Sequence, residues 1–251
     1  MPNSLILSNP DFKKPAPEGP HLNVAEFFSD TIQGENIYYP ATFLRLQGCT
    51  LDCVWCDTAA VWKVGNPYSY DELLDLIEKQ PGLVGRYRDG QRFVLSGGSP
   101  LKQQEGLLGF IEAFVYRFRF RPKIEVENEV TLMPSVLFAS QVFQWNNSPK
   151  LSNSRMPSKA RYKPSLLKHI AELPNSWFKF VISSEADWAE IQRDFLDPGL
   201  IDRGQIVLMP EGCTRDELRQ HYEMVVDLCV RETVRFTDRL HIQLWNKKTG
   251  V

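Results

Sequence analysis

The sequence predicts an α/β fold built on a mostly parallel sheet, closed or half-closed as a barrel. Short runs rich in branched and aromatic residues alternate with segments of helical periodicity along most of the chain. Two helix starts are marked by capping boxes, Ser69 with Glu72 and Thr214 with Glu217. A cysteine-rich loop and a glycine pair both follow predicted strands, at the end of such a sheet where reactive loops gather.

Residues 8–20 are rich in Pro and charge, and residues 1–22 read as an irregular arm. Residues 41–47 (ATFLRLQ) form the strand before the cysteines. Behind Ser69, Leu73, Leu74 and Ile77 give a short helix its apolar face. Residues 92–95 make a strand that ends at Gly97-Gly98. Leu107, Phe110, Ile111, Phe114 and Phe118 recur at helical spacing. Strands are expected over 123–127, 141–145, 177–182 and 205–208, with a helix over 187–195. The helix behind Thr214 carries Leu218, Tyr222, Val225, Val226 and Cys229 on one face, and 240–244 is expected as the last strand. No internal repeat is visible.

With 251 residues the chain suits one large domain or at most two, read as a single domain over 23–251. Its net charge of −2 gives no global attraction to nucleic acid or to an anionic membrane. The only apolar run in the first twenty residues is Leu5-Ile6-Leu7, too short for a signal peptide or a span, so a cytoplasmic protein is expected. One stretch stands out. Residues 149–168 hold six Lys or Arg and no acid, which reads as a solvated loop or as a lid or partner-binding insert.

Three of the five cysteines fall within eight positions as Cys49-x3-Cys53-x2-Cys56, which suits metal or redox chemistry rather than disulfides. Cys213 and Cys229 read as small buried hydrophobes. Three thiolates on one loop can wrap three corners of a cubane and leave one iron open to a ligand that is not protein. The competing reading is a zinc site completed by His21 or Cys213.

The C-x3-C-x2-C loop after an early strand resembles the signature of the radical S-adenosylmethionine (SAM) superfamily. There a 4Fe-4S cluster binds SAM through its amino and carboxyl groups at the open iron. Ser96-Gly97-Gly98-Ser99-Pro100 resembles that superfamily's GGEP motif, with Ser99 in place of the usual Glu. The stretch 30–35 (DTIQGE), the run 40–48 around Arg45, Asp57-Thr58, Ser148-Pro149-Lys150, 178–182, 208–212 and Leu240-His241 make the chain similar to the 7-carboxy-7-deazaguanine synthase family from about Glu26 onward.

That resemblance implies a partial (βα) barrel, reduced relative to the eight-fold form, and a homodimer. It implies radical SAM ring contraction of 6-carboxy-5,6,7,8-tetrahydropterin to 7-carboxy-7-deazaguanine with loss of ammonia, on the route to queuosine. Mg2+ and an electron donor such as flavodoxin or ferredoxin come with it. Residue by residue, it implies cluster ligation by Cys49, Cys53 and Cys56, and SAM contacts from Gly97, Gly98, Ser99, Glu127, Ser148 and Lys150. It further implies pterin contacts from Gln33, Gly34, Glu35, Arg45, Ser96 and His241, and a magnesium contact from Thr58. Two stretches depart from the family pattern: 127–131 reads ENEVT where ETNGT is usual, and Trp245-Asn246 replaces Trp-Gly. A glycyl-radical activase, which shares the cysteine spacing but acts on a protein, is the alternative; the QGE stretch with Arg45, Thr58 and His241 suits a small polar substrate instead.

Overall fold

The computed structural model describes residues 3–33 and 39–246. One sheet runs through it. Its strands are β1 (Asn3–Ile6), β2 (His21–Gln33), β3 (Tyr39–Leu46), β4 (Asn66–Ser69), β5 (Arg92–Gly97), β6 (Lys123–Asn128), β7 (Gln144–Asn147), β8 (Ser176–Ile182), β9 (Ile206–Pro210) and β10 (Arg235–Phe236). The order is β1-β2-β3-β5-β6-β7-β8-β9-β10, with β4 paired to β2. From β3 to β10 all neighbours are parallel, while β1, β2 and β4 add an antiparallel edge. The sheet is not closed, as befits a partial barrel.

The helices are α1 (Ala59–Trp62), α2 (Tyr70–Lys79), α3 (Leu83–Arg88), α4 (Gln104–Phe118), α5 (Val136–Ala139), α6 (Ser158–Arg161), α7 (Pro164–Ala171), α8 (Glu185–Ile191), α9 (Arg215–Glu232) and α10 (Leu240–Trp245). Ser69 caps α2 with a reciprocal box to Glu72, and Thr214 accepts from the Glu217 amide at the start of α9. Strand side chains alternate between faces. Leu44, Leu46, Phe93, Leu95, Ile124 and Val126 therefore share one face, where they pack on Leu73, Ile77, Leu107, Phe110 and Phe114 from the helices. Phe178, Phe180, Ile182, Ile206 and Leu208 continue that face against Leu167, Trp188, Ile191, Val225 and Leu228.

Four expectations change. Residues 240–244 are helical, not a strand: the sheet ends with β10, which pairs with β9 through Arg235 and Phe236. Alternating Leu240, Ile242 and Leu244 mimics a strand, but only Ile242 is buried and Leu244 is 53 % exposed, and a short apolar run does not fix its own period. The strand expected at 141–145 lies at Gln144–Asn147, because the chain leaving α5 first turns to let the Phe143 amide reach Ile124 O. Residues 149–168 are not solvated throughout: Arg155, Lys159 and Lys168 are exposed, but other parts of the segment are packed. Leu151, Leu166 and Leu167 join the core, and Arg161 is buried against Glu190 at 2.8 Å. Within residues 1–22, Asn3–Ile6 pair with β2, and the Lys14 amide and ammonium bond to Asn66 and Glu72.

Candidate active site

On the face of the sheet opposite the helices lies a cavity of about 500 Å³. The same alternation that sends apolar residues to the core sends Arg45, Ser96, Glu127 and Lys179 to this side. Arg45 lies opposite Glu26 on β2 and Ser96 on β5. Its Nε donates to Glu26 at 3.2 Å, and Ser96 donates to Glu127 at 2.8 Å. The Arg45 Nη1 to Ser96 Oγ separation of 3.5 Å makes at most a weak bond. Glu26 is buried, so the pair lies out of water, yet a guanidinium has five N–H donors and Glu26 occupies one.

The cysteine loop leaves β3 through Gly48, whose φ of 88° favours glycine. Two bonds tie it to the fold: Gly48 donates to Trp62 O at 2.9 Å and accepts from the Ser99 amide at 2.8 Å. Gly98 lies so close that an added Cβ would stand 2.3 Å from Gly48 O and 2.6 Å from Cys49 Cβ. The second half of the loop rests on the 149–168 segment, with Val54 donating to Ser154 O and Trp55 Nε1 to Asn153 Oδ1. The three thiols are free, and two receive N–H donors: Leu51 to Cys49 Sγ at 3.4 Å and Trp62 Nε1 to Cys56 Sγ at 3.5 Å. Burial pushes the Cys49 thiol up to about 11 and raises Cys53 as well, while Lys150 pulls both the other way. Burial in turn lowers the Lys150 ammonium, which donates to Ser148 O and Oγ and lies over the Trp55 ring.

The far wall comes from the chain's end and from the residues just after Cys56. Thr58 precedes α1, but its hydroxyl does not cap the helix and lies 3.7 Å from Cys56 Sγ. Asp57 pairs with buried Arg239; burial alone would raise its carboxyl, but Arg239, with His241, Arg45 and Lys179, holds it below the ordinary value. His241, on the first turn of α10, is lowered to about 4, chiefly by burial and secondarily by Arg239 and Arg45, so it is neutral near pH 7. Cys213 also reaches the cavity, 3.8 Å from Trp55 O, rather than the core. Gly34, Glu35 and the Gln33 side chain lie outside the described residues.

Residues 32–128 match the family described as a 4Fe-4S single cluster domain. Along nearly its whole length the chain is similar to the 7-carboxy-7-deazaguanine synthase of Pyrobaculum aerophilum, with 34 % identity over 92 % of this chain and 98 % of the relative. The chain belongs to the 7-carboxy-7-deazaguanine synthase family. Relatives of the same name from Hyperthermus butylicus (29 % identical, 88 % of this chain and 92 % of the relative) and Halobacterium salinarum (27 %, 91 % and 92 %) match over similar spans.

The donor set suits the cluster and SAM that this family uses. Three thiols share one loop, N–H groups point at two sulfurs, and a glycine leaves the loop room that a side chain would fill. Among the described residues no three His, Cys, Asp or Glu side chains converge on one metal ion; a cubane instead spreads its ligands, one thiolate to each iron. Of the residues that the resemblance singles out, Cys49, Cys53, Cys56, Thr58, Gly97, Gly98, Glu127, Ser148, Lys150, Arg45 and His241 all line one cavity, with Ser96 bonded to its floor. Ser99 does not: it is fully buried and its hydroxyl donates to Glu129. Sequence reading missed Glu26, Asp57, Glu129, Lys179 and Arg239, all on the cavity wall. Glu26 and Lys179 carried a signal, since each interrupts an apolar strand at an alternate position. Arg239 carried none, because its place depends on how the chain folds back after β10.

Proposed function

We propose that the chain performs the radical SAM ring contraction of 6-carboxy-5,6,7,8-tetrahydropterin to 7-carboxy-7-deazaguanine, with loss of ammonia, in deazapurine biosynthesis. The observation that carries this reading is the single cavity that joins the three cysteines to Arg45, Thr58 and His241 in a chain matching 98 % of a named synthase. Cys49, Cys53 and Cys56 would hold the cluster, which together with SAM would supply the one-electron chemistry needed to take hydrogen from a C–H bond.

The chain's own residues bind, orient and shield. Arg45, restrained by Glu26, presents its remaining N–H groups to the pterin carboxylate, the planar partner that a guanidinium fork fits. Gln33, Gly34, Glu35 and Ser96 read the donor and acceptor edge of the pterin, and neutral His241 closes the pocket over it. Gly97, Gly98, Glu127, Ser148 and Lys150 contact SAM. The uncapped Thr58 hydroxyl is a hard oxygen suited to Mg2+, which completes its shell with water and substrate. Residues 23–251 act as one catalytic domain, the enzyme works as a homodimer, and flavodoxin or ferredoxin supplies the electron. Among the described residues no helix is long and apolar enough to cross a membrane.

The test is an anaerobic incubation of reconstituted protein with SAM, reductant, Mg2+ and 6-carboxytetrahydropterin, read by mass spectrometry. Formation of 7-carboxy-7-deazaguanine is expected; release of 5′-deoxyadenosine without a deazapurine would keep the cluster chemistry and overturn the substrate.

A further inference from the structure

The helix that carries His241 is too short to stand by itself. α10 has six residues and buries only Ile242, and a helix of that length gains little from its own hydrogen bonds. Two arginines hold it, one at each end. Arg215 donates to the carbonyls of Gln243 at 2.8 Å and Leu244 at 2.7 Å, which the last turn leaves open. At the other end Arg239 stands just before the first turn. Its carbonyl accepts from the Ile242 and Gln243 amides at 2.9 and 3.1 Å, and its side chain crosses to Asp57, which lies between Cys56 and Thr58. Arg239 is 6 % exposed, and Asp57 is its one acidic partner among the described residues. Parting the two would leave a guanidinium buried and unpaired, so the pair is a firm constraint.

The place of this pair in the fold gives it a role. The sheet runs from β2 and β3 to β10 and does not close. The chain after β10 returns to lay α10 against β2, so it spans the opening. Arg239 and Asp57, 182 residues apart, join the two sides there. On one side are the cysteine loop and Thr58, and on the other is His241. The Arg239 Nε is shielded from water, so the guanidinium serves Asp57 and does not offer a fork to a ligand as Arg45 does. We propose that Arg239 is a positioning residue for the substrate: through Asp57 it sets the His241 wall against the cluster-loop wall and keeps the pocket closed to pterin size. The inference rests on the pterin reading of this cavity. A pocket that is closed only about a tenth of the time binds its ligand about tenfold more weakly.

The test uses anaerobically reconstituted protein of known iron content. It measures equilibrium binding of SAM, binding of 6-carboxytetrahydropterin with SAM and Mg2+ present, and amide hydrogen exchange over residues 240–245. Arg239→Gln is expected to weaken the pterin about tenfold or more and to change SAM binding by less than about threefold. Exchange over 240–245 should quicken while that of α4 stays as in wild type. Arg239→Lys keeps a charge for Asp57 and is expected to recover most of the pterin affinity. Pterin affinity unchanged by Arg239→Gln would overturn the assignment. So would a lysine variant as weak as the glutamine one, or both ligands weakened alike with faster exchange throughout the chain. Asp57→Asn approaches the pair from its other side and decides the case should Arg239→Gln not fold. It is expected to quicken exchange at 240–245, which a purely local role of Asp57 in its own loop would leave unmoved, and unchanged exchange there would overturn the proposal. Wild-type protein that carries its cluster and binds SAM but not the pterin would overturn the substrate reading and the inference with it.

Discussion

At the scale of single residues, the site is a set of charges kept in place by one another. Arg45 cannot be read apart from Glu26, which is almost wholly buried and faces it across the β2–β3 pair. Truncating Arg45 to alanine would leave that acid unpaired, which costs about 3–5 kcal/mol and confuses binding with folding. Arg45→Lys keeps the charge but loses the planar fork. It is expected to raise the pterin KM about tenfold or more while iron content and melting temperature stay near wild type; an unchanged KM would remove Arg45 from the substrate site. Two other residues show how much backbone a sequence pattern hides. Val130 and Asn246 replace family glycines, and both keep a positive φ, 62° and 55°. The backbone at both positions takes a conformation that glycine favours, although neither residue is glycine. For buried, β-branched Val130 that conformation is unfavourable, and the packing of its side chain in the core opposes the strain.

At the scale of elements, the cysteine loop is held between two supports. One is the Gly97-Gly98 turn, whose closeness to Gly48 and Cys49 leaves no space for a methyl group. Gly98→Ala is therefore expected to lose most of its iron on reconstitution, whereas Gly85→Ala, with open space around it, keeps its iron; equal iron in both would show that the loop adapts. The other support is the 149–168 segment. Glu190 binds it by accepting from Arg161 Nη1, the Ser152 amide and the Ser152 hydroxyl. Glu190→Ala would strand a buried guanidinium, at about 3 kcal/mol or more, and is expected to lower Tm by roughly 6–12 °C for a chain of this size. Removing Glu185, paired with Arg231 on the surface, should shift Tm little, as solvent screens such pairs. Six basic residues without an acid suggested a solvated or mobile stretch because charge runs usually face water. The partner of Arg161 lies on α8, far off in sequence, and composition does not reveal it.

At the scale of the whole molecule, the cavity couples stability to pH. His241 is lowered from 6.5 to about 4 in the folded chain, first by burial. The unfolded chain therefore takes up this proton first, so the stability linked to His241 is full above about pH 6.5 and is lost as pH falls toward 4. Wild-type protein is expected to lose more Tm across that window than His241→Gln, and equal losses would clear His241 of the effect. Much of this molecule was legible beforehand. Hydrophobic periodicity and capping residues are local signals, so the parallel strands, the helices behind Ser69 and Thr214 and the three-cysteine loop could be read directly. The loop's spacing alone also pointed to a cluster with an open iron. What no local pattern could determine was which distant groups meet. The Arg239–Asp57 pair, the Glu190 anchor and the contact between Ser99 and Glu129 all join residues that only the folded sheet brings together. The sequence by itself determined most of the parallel strands, the cysteine loop and the chemistry that loop can hold. The tertiary structure alone decided which charges surround it, because electrostatic partnership depends on distance in space and the sequence records only distance along the chain.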